Sequence, residues 1–163
     1  MRKFIFILTV LFCFVASQSL QAQDYKSSIG AKLGYGLIGS YKTFLSESSA
    51  VELFGGIRWG GFALGGFYQI HKDIESVDNL RWFLGGGATF TTWSYGFGSL
   101  GSYSEVGAHF DLGLEYTFPD LPLNVSVDWA PGFVLVDTYD FTDSYNRLRF
   151  GYGALTARYI LNR

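Results

Sequence analysis

Side chains capable of acid–base or metal chemistry recur at alternate positions in the middle of the chain. His109 and Asp111 stand two residues apart, and Glu105 and Glu115 continue the same spacing. A His-x-Asp pair can ligate a metal ion, but one histidine without a cysteine supplies fewer nitrogen and sulfur ligands than a typical zinc site requires. We therefore expect these side chains to form a network of ion pairs, and we expect no metal site.

Three aspartates near the end of the chain are further candidates for cation binding. Asp137, Asp140 and Asp143 supply the carboxylate oxygens that calcium prefers. They lack the regular spacing of a known calcium loop, so we interpret 137–147 as a solvated surface loop. No cofactor is expected.

The spacing of the charged residues is that of β-strands. From Val106 every second residue is apolar, and after a break at 119–122 the alternation resumes as far as Leu135. Strict alternation places successive side chains on opposite faces, and two such runs across a short turn predict an antiparallel hairpin. The apolar face consists of Val106, Ala108, Phe110, Leu112, Leu114, Tyr116, Phe118, Leu123, Val125, Val127, Trp129, Pro131, Phe133 and Leu135.

The orientation of the two faces decides the class of protein. A soluble barrel would turn the apolar face inward and would have to hold Phe, Tyr and Trp from every strand in a small interior. Strands of about 10 residues with apolar outer faces, polar inner faces and aromatic ends are typical of transmembrane β-barrels. The composition, with 16% charged and 19% aromatic residues and 21 Gly against 3 Pro, suits a sheet protein in lipid.

The N-terminus predicts export. Arg2 and Lys3 precede an apolar run, 4–16, which is too short to span a bilayer. We predict a secretory signal peptide cleaved after Ala22, which divides the chain into a signal peptide, 1–22, and a barrel, 23–163. Cleavage removes Cys13, so the mature chain has no thiol chemistry. It leaves 10 basic against 14 acidic residues, a balance unsuited to binding nucleic acid.

Eight strands are predicted, an even count that places both chain ends in the periplasm. The run from Ile29 to Leu45 is longer than one membrane-crossing strand, so we divide it within 34–39 into two strands. Gly60 and Gly61 predict a two-residue hairpin turn. Pro131 predicts a bulge because it cannot donate to a ladder, and a change of parity predicts another near Gly153. The other predicted strands are 50–59, 62–71, 80–93, the two strands of the hairpin at 103–136, and 148–161.

The inward positions of these strands carry the charged side chains. Five positive and five negative residues, with His109, form the predicted luminal network: Lys32, Lys42, Glu52, Arg58, Arg81, Glu105, His109, Asp111, Glu115, Asp128 and Arg158. An eight-stranded barrel is just wide enough for side chains to fill its interior. Isolated buried ions are costly, so these charges must be paired. We expect a closed polar plug and no aqueous pore.

Four segments carry a resemblance to a known class of proteins: 41–46 (YKTFLS), 58–62 (RWGGF), 113–118 (GLEYTF) and 128–129 (DW). With them, essentially the whole mature chain resembles the small eight-stranded outer-membrane barrel proteins of the OmpA/OmpX type. The resemblance implies an antiparallel up-and-down barrel in the outer membrane of a Gram-negative cell envelope. It also implies contact with outer-membrane lipid and lipopolysaccharide, and insertion by the barrel-assembly machinery.

We expect a monomer that acts structurally or through its surface loops, 94–102 and 137–147, and we expect no catalysis. Two alternatives remain open. A soluble periplasmic β-barrel would bind an apolar ligand inside. Some eight-stranded outer-membrane barrels are instead enzymes that modify lipid A, and the deacylases among them use a Ser/His pair on the outer face. Here His71 and His109 both point inward by parity, and neither has a serine two residues along.

Overall fold

The alternating runs fold into strands, which the computed structural model describes over residues 25–34, 36–58, 60–94, 102–138 and 147–162. The strands are β1 (Ser27–Leu33), β2 (Gly36–Phe44), β3 (Ser49–Arg58), β4 (Gly61–Asp73), β5 (Leu80–Ser94), β6 (Ser102–Thr117), β7 (Leu123–Trp129), β8 (Gly132–Asp137), β9 (Leu148–Arg149) and β10 (Gly153–Asn162). The predicted signal peptide, 1–22, lies outside the described residues. No described helix is long and apolar enough to cross a membrane.

The sheet closes on itself because the first and last strands pair, with Ile29 of β1 opposite Tyr159 of β10. From β1 to β6 each strand pairs with the next one along the chain, β6 pairs with both β7 and β8, and β7 pairs with β10. β7 and β8 are two parts of one strand, as are β9 and β10. Over the residues described, the chain is therefore a closed eight-stranded antiparallel barrel, as the alternation predicts.

The last two strands are both interrupted near the predicted positions. Pro131 separates β7 from β8, as its missing N–H group leads one to expect. The predicted bulge is absent at this position, because the register with β6 is the same before and after Pro131: Leu112 lies opposite Trp129 and His109 opposite Gly132. The register shift of this pair lies further along, between Val106 and Gly107.

The break in the last strand lies at 150–152, slightly before the predicted position near Gly153. Tyr152 is consequently buried, whereas the sequence places it on the same face as the exposed Phe150. The carbonyl of Phe150 accepts a hydrogen bond of 2.7 Å from the Trp129 indole.

Two hairpins differ in detail from the prediction. The chain divides into β1 and β2 as expected, but β2 begins at Gly36, so most of the glycine-rich segment is strand. In the next hairpin Arg58 pairs with Gly61, which places the two-residue turn one position earlier than predicted. Gly60 has a φ of 80°, the left-handed conformation that favours glycine. Gly61 belongs to β4.

Alternation along each strand separates an apolar exterior from a polar interior. Leu53, Phe110 and Leu155 are each more than half exposed on the outside. Their neighbours Glu52 and Asp111 are fully buried inside. The faces therefore have the orientation that the sequence predicts, with exposed apolar side chains around a buried network of polar and charged groups.

Candidate functional site

The lumen is the candidate site because it holds nearly every polar side chain that the barrel buries. Arg58 is half-buried at one end of the barrel. The other predicted network residues are all buried inside: Lys32, Lys42, Glu52, Arg81, Glu105, His109, Asp111, Glu115, Asp128 and Arg158. They form three clusters at different heights, which we call the lower, middle and upper clusters. The lower cluster lies at the end that holds the residues preceding β1.

The middle cluster is organised by Arg158 on β10. Its guanidinium lies 2.6 Å from Glu52 Oε1 on β3 and donates to Ser126 Oγ at 2.8 Å and Ser40 Oγ at 3.1 Å. Lys32 Nζ lies 3.2 Å from Glu52 Oε1 and 2.9 Å from Asp128 Oδ2. Two cations and two carboxylates are thus joined across four strands. Because each charge has a partner of opposite sign, their mutual attraction compensates part of the cost of removing them from water.

Asp111 and Gln69 complete the middle cluster. They meet over Gly85 of β5, which lies opposite both in the strand register. The Gln69 Nε2 group donates to Asp111 Oδ2 and, at 2.9 Å, to Glu52 Oε2. A Cβ atom at position 85 would approach the Gln69 Cγ atom to 3.0 Å and the Tyr68 carbonyl more closely still. Glycine at this inward position therefore leaves the space through which Gln69 reaches Asp111.

The lower cluster is centred on Glu115. Lys42 Nζ donates to Glu115 Oε2 at 2.9 Å and lies 3.4 Å from His71 Nε2. Tyr25, which precedes β1, is fully buried and directs its hydroxyl toward the same carboxylate at 3.4 Å. Burial raises the pKa of the Tyr25 hydroxyl well above its usual range, so the group remains a hydrogen-bond donor. Arg81 forms an ion pair with Asp73 close by.

The upper cluster is centred on Glu105. Arg149 Nη2 lies 2.6 Å from Glu105 Oε2, and the hydroxyls of Tyr103 and Tyr152 each donate to this carboxylate at 3.1 Å. Arg58 donates to Tyr152 Oη at 2.7 Å. Its guanidinium carbon lies 5.1 Å from the Trp93 ring centroid and 4.9 Å from that of Tyr152. These distances are typical of cation–π contacts.

Apolar side chains separate the polar clusters and close the lumen. One group of buried residues lies between the middle and upper clusters: Ile38, Phe54, Ala63, Phe67, Ala130 and Tyr152. A second seals the lower end: Tyr25, Phe44, Ala50 and Ile160. A cavity beside the first group has a volume of about 10 Å³, roughly the space of one water molecule. At the levels of these two groups, side chains fill the described lumen.

His109 is engaged on both sides of its ring. Nδ1 lies 3.0 Å from the Ala130 carbonyl oxygen, and Nε2 lies 3.0 Å from Thr89 Oγ1. Asp111 binds Gln69 instead of joining His109. No group of three or more His, Cys, Asp or Glu side chains in the described parts of the chain is arranged to hold a metal ion. Of the three loop aspartates, Asp140 and Asp143 lie outside the described residues.

Several participants were not among the residues predicted to form the luminal network. Gln69 and His71 have inward parity, so the alternation places them in the lumen but does not identify their partners. Tyr152 has the same parity as Leu148 and Phe150, so the alternation groups it with them, but the break in the strand precedes it and it is buried. Tyr25 lies before the first strand, where no periodic pattern exists. Comparison with protein-family models, curated proteins and solved structures gave no match.

Proposed function

We propose that this protein is an integral outer-membrane β-barrel with a plugged lumen, acting in a structural or surface-interaction role. The observation that carries the proposal is the distribution of charge across the barrel wall. Charged side chains fill the buried lumen, whereas the outward face of β6 from Val106 to Tyr116 carries none. Exposed hydrocarbon on this scale needs an apolar environment, and a lipid bilayer provides one.

The dimensions of the apolar face support a membrane location. Val106 and Tyr116 are 10 residues apart on one strand, and a strand rise of ~3.4 Å with a tilt of ~40° converts this separation into a height of ~26 Å. The apolar band of outer-membrane barrels is about 25 Å tall. Exposed apolar residues continue around the wall on the other strands, for example Leu37, Ile57, Leu64, Leu84, Val127 and Tyr159.

The filled lumen supports a role without solute transport. The lower, middle and upper clusters cross the interior at successive heights. Packed aromatic rings lie between the middle and upper clusters, including Phe54 against Phe67 with ring centroids 5.1 Å apart. Only much larger barrels, of about 16 strands, leave a wide aqueous channel. We therefore assign function to the outer wall and to the ends of the barrel.

The two rival functions gain no support from the geometry. A soluble barrel that binds an apolar ligand requires an apolar cavity and a charged exterior, and this barrel has the reverse distribution. A lipid A deacylase of the Ser/His type requires a histidine on the outer face. His71 and His109 are both buried in the lumen. We propose that the protein is not an enzyme and that, as a monomer, its contacts are with membrane lipid, lipopolysaccharide and the assembly machinery.

Gel mobility of the protein from isolated outer membranes, with and without boiling, tests the proposal. We expect the unboiled protein to migrate as a compact, detergent-resistant species and the boiled protein as an unfolded chain of different mobility. Extraction of the same membranes in buffer without detergent provides the control. A single band combined with release into plain buffer would contradict a membrane barrel.

Expression in cells followed by mass analysis of lipid A tests the absence of lipid A modification. We expect identical lipid A with the protein and with an empty vector. A new acylation or deacylation product that depends on the protein would show enzymatic activity and would overturn the non-catalytic assignment.

A further inference from the structure

The middle and lower clusters contain one more negative charge than positive charge. Their buried cations, leaving aside the Arg81–Asp73 pair, are Lys32, Lys42 and Arg158. Their buried carboxylates are Glu52, Asp111, Glu115 and Asp128. Arg158 and Lys32 are committed to Glu52 and Asp128, and Lys42 to Glu115. Among these four carboxylates, Asp111 alone has no ion pair in the described part of the barrel.

His71 does not supply the missing charge. Its Nε2 atom lies 3.4 Å from Lys42 Nζ. The same Nε2 atom lies 3.6 Å from Glu115 Oε2. Any charge on His71 would therefore face Glu115 and the Lys42 ammonium in the lower cluster, and not Asp111. The other ring nitrogen, Nδ1, is buried without a partner among the described residues.

Two buried oxygen atoms of the Asp111 and Gln69 side chains have neither a hydrogen-bond donor nor an ion-pair partner among the described residues. Asp111 Oδ1 and Gln69 Oε1 are without partners in the described structure, although the same two groups are joined through Gln69 Nε2 and Asp111 Oδ2. Both side chains are fully buried. Exchanging the positions of the oxygen and nitrogen atoms of the Gln69 amide would not satisfy both oxygens, because Nε2 in its present position donates to both Asp111 and Glu52. A buried carboxylate without an ion pair, with one oxygen lacking a donor, beside an amide oxygen that also lacks a donor is strongly unfavourable.

We propose that the lumen binds one small positive charge, a monovalent cation or a proton, at Asp111 Oδ1 and Gln69 Oε1. One such charge at Asp111 Oδ1 neutralises the excess, and Gln69 Oε1, on the side chain that is hydrogen-bonded to the same carboxylate, is the second unpartnered acceptor. A monovalent species matches the single excess charge, and a site with one unpaired carboxylate and one amide oxygen is too poor in ligands for a divalent ion. The charged groups around the site are Glu52 on β3, Asp128 on β7 and Lys32 on β1, and the inward residue of β5 between Gln69 and Asp111 is Gly85.

Two isosteric amide substitutions test the site by thermal unfolding of the refolded barrel in detergent. Asp111→Asn removes the uncompensated charge, so we expect its Tm to stay within about 3 °C of the wild type or to rise. Glu52→Gln leaves Arg158 and Lys32 short of a partner, so we expect its Tm to fall by roughly 10 °C. An Asp111→Asn variant as unstable as Glu52→Gln would show that Asp111 acts as a paired carboxylate and would overturn the proposal.

The identity of the charge follows from two titrations of the same proteins. In the first, sodium chloride is replaced by choline chloride at constant ionic strength, and in the second the pH is varied. A wild-type Tm that requires sodium indicates a bound cation, and a Tm that falls as the pH rises, independently of sodium, indicates a proton. Either dependence must be absent in Asp111→Asn. If the Tm difference between wild type and Asp111→Asn is unaffected by sodium and by pH, no exchangeable charge is bound and the proposal is wrong.

Discussion

Arg158 Nη2 and Glu52 Oε1 lie 2.6 Å apart inside the barrel, although 106 residues separate the two side chains in the sequence. Both are fully buried. The contact joins β10 to β3 across the lumen, and β1 and β2 lie between these two strands in the closed sheet. It therefore depends on closure of the barrel.

Reversal of one charge tests this contact. Arg158→Glu would place two carboxylates together in the lumen and would leave Ser40 and Ser126 without their donor. We expect the free energy of unfolding to fall by about 3–5 kcal/mol, the cost of breaking a buried ion pair. Denaturant unfolding in detergent measures the change. Lys26→Glu, at an exposed position before β1, is the control, and equal stability of the two variants would argue against luminal pairing.

The outward face of β6 provides a test of lipid contact. Phe110 is 70% exposed near the middle of the apolar face. If lipid surrounds it, Phe110→Arg should make folding into vesicles less favourable by about 2–4 kcal/mol, because a charge near the bilayer midplane is costly. Leu121→Arg, in the turn between β6 and β7, should cost no more than about 1 kcal/mol. A similar effect at both positions would contradict a membrane-embedded wall.

Substitution of glycine by alanine should have different effects on stability at Gly113 and at Gly55. A Cβ atom at Gly113 would overlap the Phe83 ring inside the barrel, whereas one at Gly55 would meet only ordinary contacts at 3.7 Å on the outside. We expect Gly113→Ala to lower stability by about 1–3 kcal/mol through overpacking. Gly55→Ala should be neutral or slightly stabilising, because alanine restricts the unfolded chain. Equal Tm values for the two variants would show that the interior is looser than described.

The filled lumen predicts a lack of ion conduction. Purified protein in a planar bilayer should produce no sustained single-channel steps in salt solution. The described interior has no continuous water path, because the packed rings of Phe54 and Phe67 and the ion pairs of Arg158 and Lys32 occupy it. A large porin at the same concentration serves as the positive control. Stable conductance steps from protein without porin contamination would disprove the plug.

Much of the barrel could be predicted because its information is local. An outward residue such as Leu53 and an inward neighbour such as Glu52 differ in polarity, and a strand turns them to opposite faces whatever the rest of the fold does. The breaks at Pro131 and near Gly153 were likewise visible as a missing donor and a change of parity. The predicted positions of the turns differ from the observed positions by one or two residues, because glycine is compatible with both strand and turn.

The partners inside the lumen could not be predicted from the sequence. Alternation shows that Lys42 and Arg158 point inward, but the sequence does not indicate which buried carboxylate each of these cations will contact. The strand register and the barrel stagger decide that Arg158 meets Glu52, that Lys42 meets Glu115, and that Asp111 meets only an amide. The sequence by itself thus determined the sheet, its two faces and a balanced count of inward charges. Only closure of the barrel decided the pairing, because distances across a lumen exist only once the first and last strands have joined.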